Sequence, residues 1–239
     1  MRKCIHNLLL KIDIGNSMQG FFRKTLTTVL AFILAPLLIL PVAQAKKPQE
    51  PSLAPIILVV GDSISAEYGL KRGSGWVTLL QNTLIKEKFP HRIVNASISG
   101  ETTSGGANRI DALIKQHSPS IVILELGGND ALRGLSIKAT HENMDRMAKT
   151  VRNNRSELMI LGMEIPPNYG MQYATEFRNI FKKVSAQHKA VYLPFLFEGF
   201  GQDLSAFQTD RIHPNEAAQE KILANVWPLL KPLLLKTAP

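Results

Sequence analysis

Five consecutive aliphatic residues at positions 56–60 (IILVV) constrain the fold of this chain more than any other feature. A run of this kind indicates a strand that is buried on both faces, as in the middle of a parallel sheet. The run leads directly into Gly-Asp-Ser-Ile-Ser at residues 61–65. Because open α/β sheets bind their ligands at the carboxyl ends of the strands, Ser63 stands where a nucleophile could act.

Four more apolar runs follow, and helix-like patterns separate them. The runs lie at residues 92–96, 121–126, 158–163 and 190–193. The predicted helices lie at residues 75–88, 103–117, 137–153 and 171–188, with a last helix after Pro214. This alternation is typical of α/β proteins in which helices cover both faces of a parallel sheet. We therefore predict a single three-layer α/β/α domain with a central parallel sheet of about five strands.

The first 45 residues follow the pattern of a secretory signal peptide. Arg23 and Lys24 form a basic start, residues 29–40 form an apolar core, and residues 43–45 (AQA) give a small-x-small cleavage site. A transmembrane anchor is the alternative, but this apolar core is shorter than the roughly 20 residues that a span needs. We expect cleavage after Ala45 and no stable membrane span afterwards.

Export of this kind predicts a periplasmic protein, or one released into the medium. Both Met1 and Met18 are candidate start sites ahead of the apolar core. Removal of 45 of the 239 residues leaves 194, enough for one domain with a full core. We expect a short linker at residues 46–54 and the domain at residues 55–239.

Charge and cysteine content narrow the class of protein. Removal of residues 1–45 lowers the net charge from +9 to +5, because five basic residues and one acidic residue are lost. The remaining charges are dispersed, without a basic run or interleaved aromatic residues, which disfavours nucleic-acid binding. The only cysteine, Cys4, lies in the removed segment. The exported domain would therefore depend on its hydrophobic core, not on disulfides.

A serine nucleophile needs a base, and His213 is the best candidate among six histidines. A serine hydroxyl reacts poorly at neutral pH unless a neighbouring group takes its proton. Only His213 has an aspartate three residues before it, Asp210, and a proline directly after it. We predict Pro214 at the first position of the last helix, with Asp210 beside Nδ1 of His213 and Ser63 facing Nε2. The alternative is that Asp210 only caps the helix and His213 is an ordinary surface residue.

Two further segments offer donors for the oxyanion that forms in acyl transfer. Residues 127–130 (GGND) follow the third apolar run, and the side-chain amide of Asn129 would project over the carboxyl edge of the sheet. Residues 95–100 (NASISG) follow the second run, and the N–H of Gly100 could approach a substrate closely. Ordinary strand-to-helix turns are the alternative for both segments.

Together, four segments resemble the SGNH (GDSL-type) hydrolase family, in the order in which the family has them. They are residues 61–65 (GDSIS), 95–100 (NASISG), 127–130 (GGND) and 210–214 (DRIHP), and the resemblance covers residues 55 to 235. Residues 125–134 and 167–170 are similar to the periplasmic thioesterase, lysophospholipase and arylesterase group of Gram-negative bacteria. The resemblance implies the flavodoxin-like SGNH hydrolase fold.

The resemblance also implies a role for each site residue. Ser63 would be the nucleophile, His213 the general base and acid, and Asp210 the group that orients His213. The oxyanion hole would consist of the Ser63 and Gly100 N–H groups and the Asn129 amide. Asp62 is expected only to fix the nucleophile turn through local hydrogen bonds. The implied enzyme is a serine hydrolase that cleaves acyl esters and thioesters.

Apolar residues near this edge of the sheet would suit acyl chains or aryl esters. We expect Leu132, Ile165 and Tyr169 to contact a small-molecule substrate, with lysophospholipid among the candidates, and Phe195 and Phe197 to belong to the core. No metal or cofactor is expected, because no His, Glu or Cys cluster has ligand spacing and no phosphate loop is present. A monomer is predicted. A carbohydrate O-acetylesterase and a non-catalytic lipid-binding envelope protein remain as alternatives.

Overall fold

The structure, a computed structural model, describes residues 54–165 and 167–239. The predicted signal peptide at residues 1–45 and nearly all of the predicted linker at residues 46–54 lie outside this described part. Among the described helices, none is both long enough and apolar enough to cross a membrane.

Five parallel strands form the central sheet in the order β2-β1-β3-β4-β5. The strands are β1 (Ile56–Gly61), β2 (Arg92–Asn95), β3 (Ile121–Glu125), β4 (Glu157–Leu161) and β5 (Val191–Leu193). All residues of β1 and β3 are buried, whereas the edge strand β2 is partly exposed. The expectation of a strand buried on both faces is therefore confirmed for β1, and the three-layer α/β/α fold is confirmed with it.

Six α-helices connect and cover these strands. They are α1 (Trp76–Lys86), α2 (Thr103–His117), α3 (Gly128–Leu132), α4 (Ile137–Asn153), α5 (Met171–Gln187) and α6 (Gln219–Thr237). Helix α1 packs against α6, while α4 packs against α2 and α5. This grouping gives one layer of helices on each face of the sheet, as right-handed crossovers in a doubly wound sheet require.

The strand order reverses between β1 and β3, and this point decides where a site can form. After β1 the chain crosses to β2 on one side, and the later strands follow on the other side. The two central strands are in register, with Gly61 of β1 opposite Glu125 of β3. Loops that leave the two strand ends therefore diverge and open a crevice at the carboxyl edge.

Two local predictions differ from the structure. The last helix does not begin at Pro214, which instead forms an isolated antiparallel bridge with Phe207. The Asn215 side chain then caps a 3-10 turn, and α6 starts only at Gln219. Asp210 and His213 still lie on the loop before the last helix, as expected. Helix α3 was not predicted, because five residues are too few to show a helical period.

Gly162 shows how closely the chain packs beside this edge. Its N–H donates to the carbonyl of Leu193 at 2.7 Å, and its own carbonyl accepts from Leu196 at 2.9 Å. A Cβ atom on Gly162 would lie 2.3 Å from the carbonyl oxygen of Pro194, which is backbone and cannot rotate away. Glycine at this position therefore lets the segment after β4 run beside the segment after β5.

Gly162→Ala should lower the free energy of unfolding by about 1–3 kcal/mol, the usual cost of overpacking a fixed site. Urea unfolding followed by circular dichroism would measure the change. Gly105→Ala is the matched control, because the nearest atoms that a Cβ there would meet belong to the Glu101 side chain and not to backbone, and because alanine favours the α2 helix. Equal stability of the two variants would contradict the proposed packing constraint.

Candidate active site

Ser63, His213 and Asp210 form a hydrogen-bonded chain at the carboxyl edge of the sheet. The Ser63 hydroxyl lies 2.9 Å from Nε2 of His213, and Nδ1 of His213 lies 2.7 Å from a carboxylate oxygen of Asp210. Because a carboxylate only accepts hydrogen bonds, Nδ1 carries the proton, and Nε2 is free to accept from Ser63. The structure thus brings the predicted Asp210–His213 pair to Ser63, which lies 150 positions before His213 in the sequence.

The carboxylate of Asp210 is oriented by backbone groups of its own loop as well as by the imidazole. Its second carboxylate oxygen accepts the backbone N–H groups of Ile212 at 2.9 Å and His213 at 3.0 Å. Burial alone would raise the pKa of Asp210, but these N–H donors and the His213 ring outweigh it and lower the pKa below its ordinary value. Asp210 is therefore a carboxylate at neutral pH, and backbone N–H groups orient it toward Nδ1 independently of the imidazole ring.

Tyr68 covers the imidazole from the solvent side, which the sequence did not reveal. Its ring centroid lies 4.5 Å from that of His213, with the planes tilted by 41°. Tyr68 is nevertheless 51% exposed. It lies on the turn after Ser63, and its N–H donates to the Ser63 carbonyl at 3.1 Å. The turn that contains Ser63 therefore also contacts His213 through the ring of Tyr68.

A buried glutamate holds the nucleophile turn against the sheet. One oxygen of Glu125, at the end of β3, accepts the hydroxyl of Ser65 at 2.7 Å and the N–H of Asp62 at 3.3 Å. The indole N–H of Trp76 donates to the Ser65 oxygen at 3.2 Å, so the Ser65 proton is directed to Glu125. A Cβ on Gly61 would lie 2.7 Å from the same Glu125 oxygen. Glycine before the nucleophile turn is thus required by this contact.

Asp62 links the nucleophile turn to the loop after β3. One carboxylate oxygen accepts the N–H of Ile64 at 3.0 Å, which is the local bond expected from the sequence. The other accepts the side-chain amide N–H of Asn129 at 3.0 Å, a contact that the sequence did not predict. Only one of the two amide protons of Asn129 is used in this bond. The bond also fixes which end of the amide faces the site.

Asp62 and Glu125 are two nearby buried carboxyl groups, and the pKa of each is raised. Burial raises the pKa of Asp62 to about 6, against the opposing effects of the Ile64 N–H, the Asn129 amide and the charge of His213. Burial, followed by the charge of Asp62, raises the pKa of Glu125 well above its ordinary value. At neutral pH Asp62 is therefore largely ionised, whereas the raised pKa of Glu125 favours the protonated form of that side chain.

Asn129 is positioned by the short helix α3. Gly127 turns the chain with a φ of +119°, a conformation that L-residues rarely adopt. The next carboxylate, Asp130, is buried and accepts the N–H of Thr103 at 2.8 Å and its hydroxyl at 2.5 Å. These bonds anchor α3 to the first turn of α2. The role of Asp130 was missed by sequence reasoning, which treated the segment as a glycine turn.

Gly100 lies on the loop after β2, which is tied to both neighbouring segments. Ile98 donates its N–H to the Gly61 carbonyl at 3.0 Å, and Arg133 donates to the Gly100 carbonyl at 2.9 Å. Gly100 has a φ of +79° and leaves ordinary space for a Cβ atom, so glycine is needed for conformation and not for room. It is not among the residues that line the cavity at Ser63.

A cavity of about 530 Å³ opens beside Ser63 and His213. Its wall is largely apolar and aromatic, formed by Leu132, Ile165, Phe195, Phe197, Phe207 and Ile212. Leu132 and Ile165 were expected to contact substrate and do line the cavity, whereas Tyr169 does not. The expectation that Phe195 and Phe197 belong to the core is incomplete, because both pack against it and also form the wall.

Comparison with known proteins gives consistent matches. A family model described as GDSL-like lipase/acylhydrolase matches residues 59–221. The esterase TesA of Pseudomonas aeruginosa is 47% identical over 181 residues, which cover 76% of this chain and 90% of that protein. The thioesterase 1/protease 1/lysophospholipase L1 of Escherichia coli K12 is 36% identical over 181 residues, covering 76% of this chain and 86% of that protein.

A solved structure agrees with these sequence matches. The crystal structure of the psychrotrophic esterase EstA from Pseudoalteromonas sp., inhibited by monoethylphosphonate, has a TM-score of 0.71 and 36% identity. The match covers 75% of this chain and 98% of that one. The family match at residues 59–221 extends over more than half of the chain and contains Ser63, Asn129 and His213. The resemblance inferred from the sequence is thereby confirmed, and the chain belongs to the GDSL-like lipase/acylhydrolase family.

Proposed function

We propose that this protein is a serine hydrolase that cleaves carboxylic esters and thioesters of acyl groups. The observation that carries the proposal is the continuous chain from Ser63 through His213 to Asp210, with contacts of 2.9 Å and 2.7 Å. Such a chain supplies a nucleophile, a base in the correct tautomer and a carboxylate that stabilises the charged imidazole. The names of the relatives, esterase and thioesterase/lysophospholipase, support the same chemistry.

In the first step, Ser63 attacks the carbonyl carbon of the substrate while His213 takes the serine proton on Nε2. The carbonyl oxygen becomes an oxyanion, which the N–H groups of Ser63 and Gly100 and the free amide proton of Asn129 stabilise. When the tetrahedral intermediate collapses, Nε2 returns its proton to the leaving alcohol or thiol. The acyl group remains on Ser63 as an ester.

In the second step, water replaces the leaving group. His213 takes a proton from the water, whose oxygen attacks the acyl-enzyme carbonyl in the same oxyanion site. Collapse of this second intermediate breaks the bond to Ser63, whose oxygen regains a proton from His213. The second step yields a carboxylic acid and the free enzyme. Substrate, water, Ser63 and His213 supply every atom and proton in the two steps.

Asp62 acts in this mechanism as a positioning residue. Its ionised carboxylate accepts one amide proton of Asn129, so the second amide proton is directed toward the oxyanion. Glu125, whose raised pKa favours the protonated form, holds the same turn through the Ser65 hydroxyl and the N–H of Asp62. The pair keeps the donor oriented before substrate arrives, which is the condition for effective oxyanion stabilisation.

The cavity favours an acyl or aryl group over an acetylated carbohydrate. An O-acetylesterase would need an open, polar cleft for sugar hydroxyls, but the wall beside Ser63 consists largely of aliphatic and aromatic side chains. Leu132 and Ile165 on this wall are proposed to contact the acyl group, and Tyr169 is proposed to contact the substrate outside the cavity. A non-catalytic lipid-binding protein would not need the Ser63–His213–Asp210 chain.

We further propose export to the periplasm with cleavage after Ala45. The proposal rests on the basic start, the apolar core at residues 29–40 and the AQA site at residues 43–45. N-terminal sequencing of the protein from a periplasmic extract should give Lys46 as the first residue. A protein that retains Met1 or Met18 in the membrane fraction would contradict the proposal.

The test of the proposed function is a hydrolysis panel of p-nitrophenyl esters from two to sixteen carbons, with an acyl-CoA and a lysophospholipid alongside. The wild-type protein should hydrolyse members of the panel. Ser63→Ala should lower kcat by at least roughly 10⁴-fold, because the nucleophile is lost while the fold is kept. Retention of more than a few per cent of the activity would remove Ser63 from the mechanism.

The chain offers a matched control for the base. His188, at the end of α5, also lies 2.7 Å from an aspartate, Asp145, but on the opposite edge of the sheet from Ser63. His188→Ala should leave kcat within a factor of two, whereas His213→Ala should match the loss seen in Ser63→Ala. Equal losses in the two histidine variants would point to a general effect on folding.

Asn129 and Asp62 should affect kcat to different extents. Asn129→Ala removes a donor and should lower kcat by roughly 100-fold or more, with a smaller change in KM. Asp62→Asn keeps the size of the side chain but replaces one of its two acceptor oxygens by an NH₂ donor, so the bonds to Ile64 and Asn129 can no longer both be made. We therefore expect kcat to fall by roughly tenfold. Glu125→Gln keeps the size of the side chain and an acceptor oxygen for the turn, and serves as the control, with kcat near that of the wild type.

The same variants test how kcat depends on pH. The carboxylate of Asp62 is the form that orients Asn129, and it is present above its pKa of about 6. Protonation below that pH removes an acceptor, so kcat should fall as the pH decreases through about 6. Asp62→Asn should lose this component of the acid limb, and Glu125→Gln should retain it. An Asp62→Asn variant with wild-type kcat and profile would show that Asp62 has no positioning role.

A further inference from the structure

Exposed large apolar side chains are concentrated at one edge of the sheet. Among the described residues, ten such side chains are exposed, and eight of them lie on segments that follow the carboxyl ends of the strands. We call these eight the apolar rim: Tyr68, Ile98, Leu132, Leu135, Tyr169, Met171, Leu204 and Ile212. Every one of the five strand-to-helix connections contributes at least one of them.

The other edge of the sheet is different. The two remaining exposed side chains, Ile85 and Leu235, lie near the carboxyl ends of α1 and α6. Because helices and strands alternate in direction, these ends lie at the amino edge of the sheet. Scattered single apolar residues are normal on a protein surface, but a set confined to one edge indicates an interaction surface.

The apolar rim is continuous with the cavity at Ser63. Leu132 and Ile212 belong to the rim and also line the cavity. Tyr68 belongs to the rim and contacts the ring of His213. An apolar group that rests on this part of the rim is therefore next to the apolar wall of the cavity at Ser63.

We propose that the apolar rim docks the protein on the surface of a zwitterionic phospholipid aggregate, so that its lipid substrate enters the cavity directly from that surface. The proposal rests on the proposed hydrolase function and specifies where its substrate is taken up. Amphipathic and aromatic side chains at a rim are suited to the boundary between headgroups and acyl chains.

The position of the rim favours a lipid surface over a protein partner. Leu132 and Ile212 of the rim line the cavity, and Tyr68 contacts His213, so a second copy of this chain or another protein seated there would cover the route to Ser63. A lipid surface at the same place supplies molecules that can enter the cavity. Met171, 78% exposed, and Leu204, 61% exposed, leave most of their apolar surface free to contact lipid.

The charges around the rim favour zwitterionic over anionic lipid. The strand-to-helix connections carry nearly equal numbers of exposed basic and acidic residues. The basic residues are Lys71, Arg72, Arg133 and Arg211, and the acidic residues are Glu164, Glu198, Asp203, Asp210 and Glu216. Three of these acids contact basic side chains, in the pairs Glu164–Arg178, Asp203–Lys221 and Asp210–His213. A nearly balanced surface gains little from a negatively charged membrane, which needs clustered lysine or arginine.

The test compares a rim variant with a matched variant of the opposite edge. The rim variant carries Ile98→Gln, Leu135→Gln, Met171→Gln and Leu204→Gln, none of which lines the cavity. The control carries Ile85→Gln and Leu235→Gln. Each protein is measured for flotation with phosphatidylcholine vesicles, for hydrolysis of lysophosphatidylcholine below and above its critical micelle concentration, and for hydrolysis of soluble p-nitrophenyl butyrate.

We expect the wild type and the control to float with the vesicles and to hydrolyse lysophosphatidylcholine faster once micelles form. The rim variant should bind vesicles at least tenfold more weakly and lose the rate increase, while kcat/KM for p-nitrophenyl butyrate stays within a factor of two. Failure of the wild type to hydrolyse any ester would refute the proposed function itself. Hydrolysis of the soluble ester without vesicle binding would overturn only the docking proposal.

Three further outcomes would also overturn the docking proposal. One is equal vesicle binding by the rim variant and the wild type. Another is binding of the wild type to phosphatidylglycerol vesicles but not to phosphatidylcholine. The third is a wild-type dimer in sedimentation velocity that the rim variant does not form, which would assign the rim to a second copy of the chain.

Discussion

The hydrogen bonds to one oxygen of Glu125 are the contact on which the rest of the site depends. They join the end of β3 to the turn after β1, at the point where the strand order reverses. A charged glutamate so deeply buried would be costly, and burial accordingly raises the pKa of Glu125 well above its ordinary value. In its protonated form Glu125 holds the turn without opposing the negative charge of Asp62. A contact that holds two strand ends together thus also shifts the titration of a carboxyl group in the site.

Beyond the contacts of Glu125, hydrogen bonds with three aspartates orient the other groups of the site. Asp62, on the turn after β1, accepts a hydrogen bond from Asn129 and so fixes the position of that side chain. Asp130, next to Asn129 in the short helix α3, binds Thr103 at the start of α2. Asp210 is held by its own backbone and holds His213 in turn. Every group that develops or receives charge in the proposed reaction is therefore oriented by protein contacts before substrate binds, so little reorganisation remains for the reaction itself.

The sequence predicted those parts of the site whose signal is local. The buried run before Ser63 and the short spacing of Asp210 and His213 are readable without knowledge of other segments. The contact of Asp62 with Asn129 was not predicted, because the residues are 67 positions apart and each has an ordinary local role. Glu125 was missed for the same reason, although a single carboxyl group that ends an aliphatic strand is a usable signal. The start of α6 was misplaced because Pro214 fits a β-bridge as well as a first helical turn.

The bridge between Phe207 and Pro214 has a consequence for the order in which the enzyme becomes competent. It holds the loop of the base, together with the bond from Gln208 N–H to the His213 carbonyl at 2.8 Å. This loop follows all five strands in the chain, whereas the nucleophile precedes four of them. During synthesis, Ser63 therefore emerges well before His213. The proposed base joins the site only when this last loop is in place, so hydrolytic activity is the last property that the chain acquires.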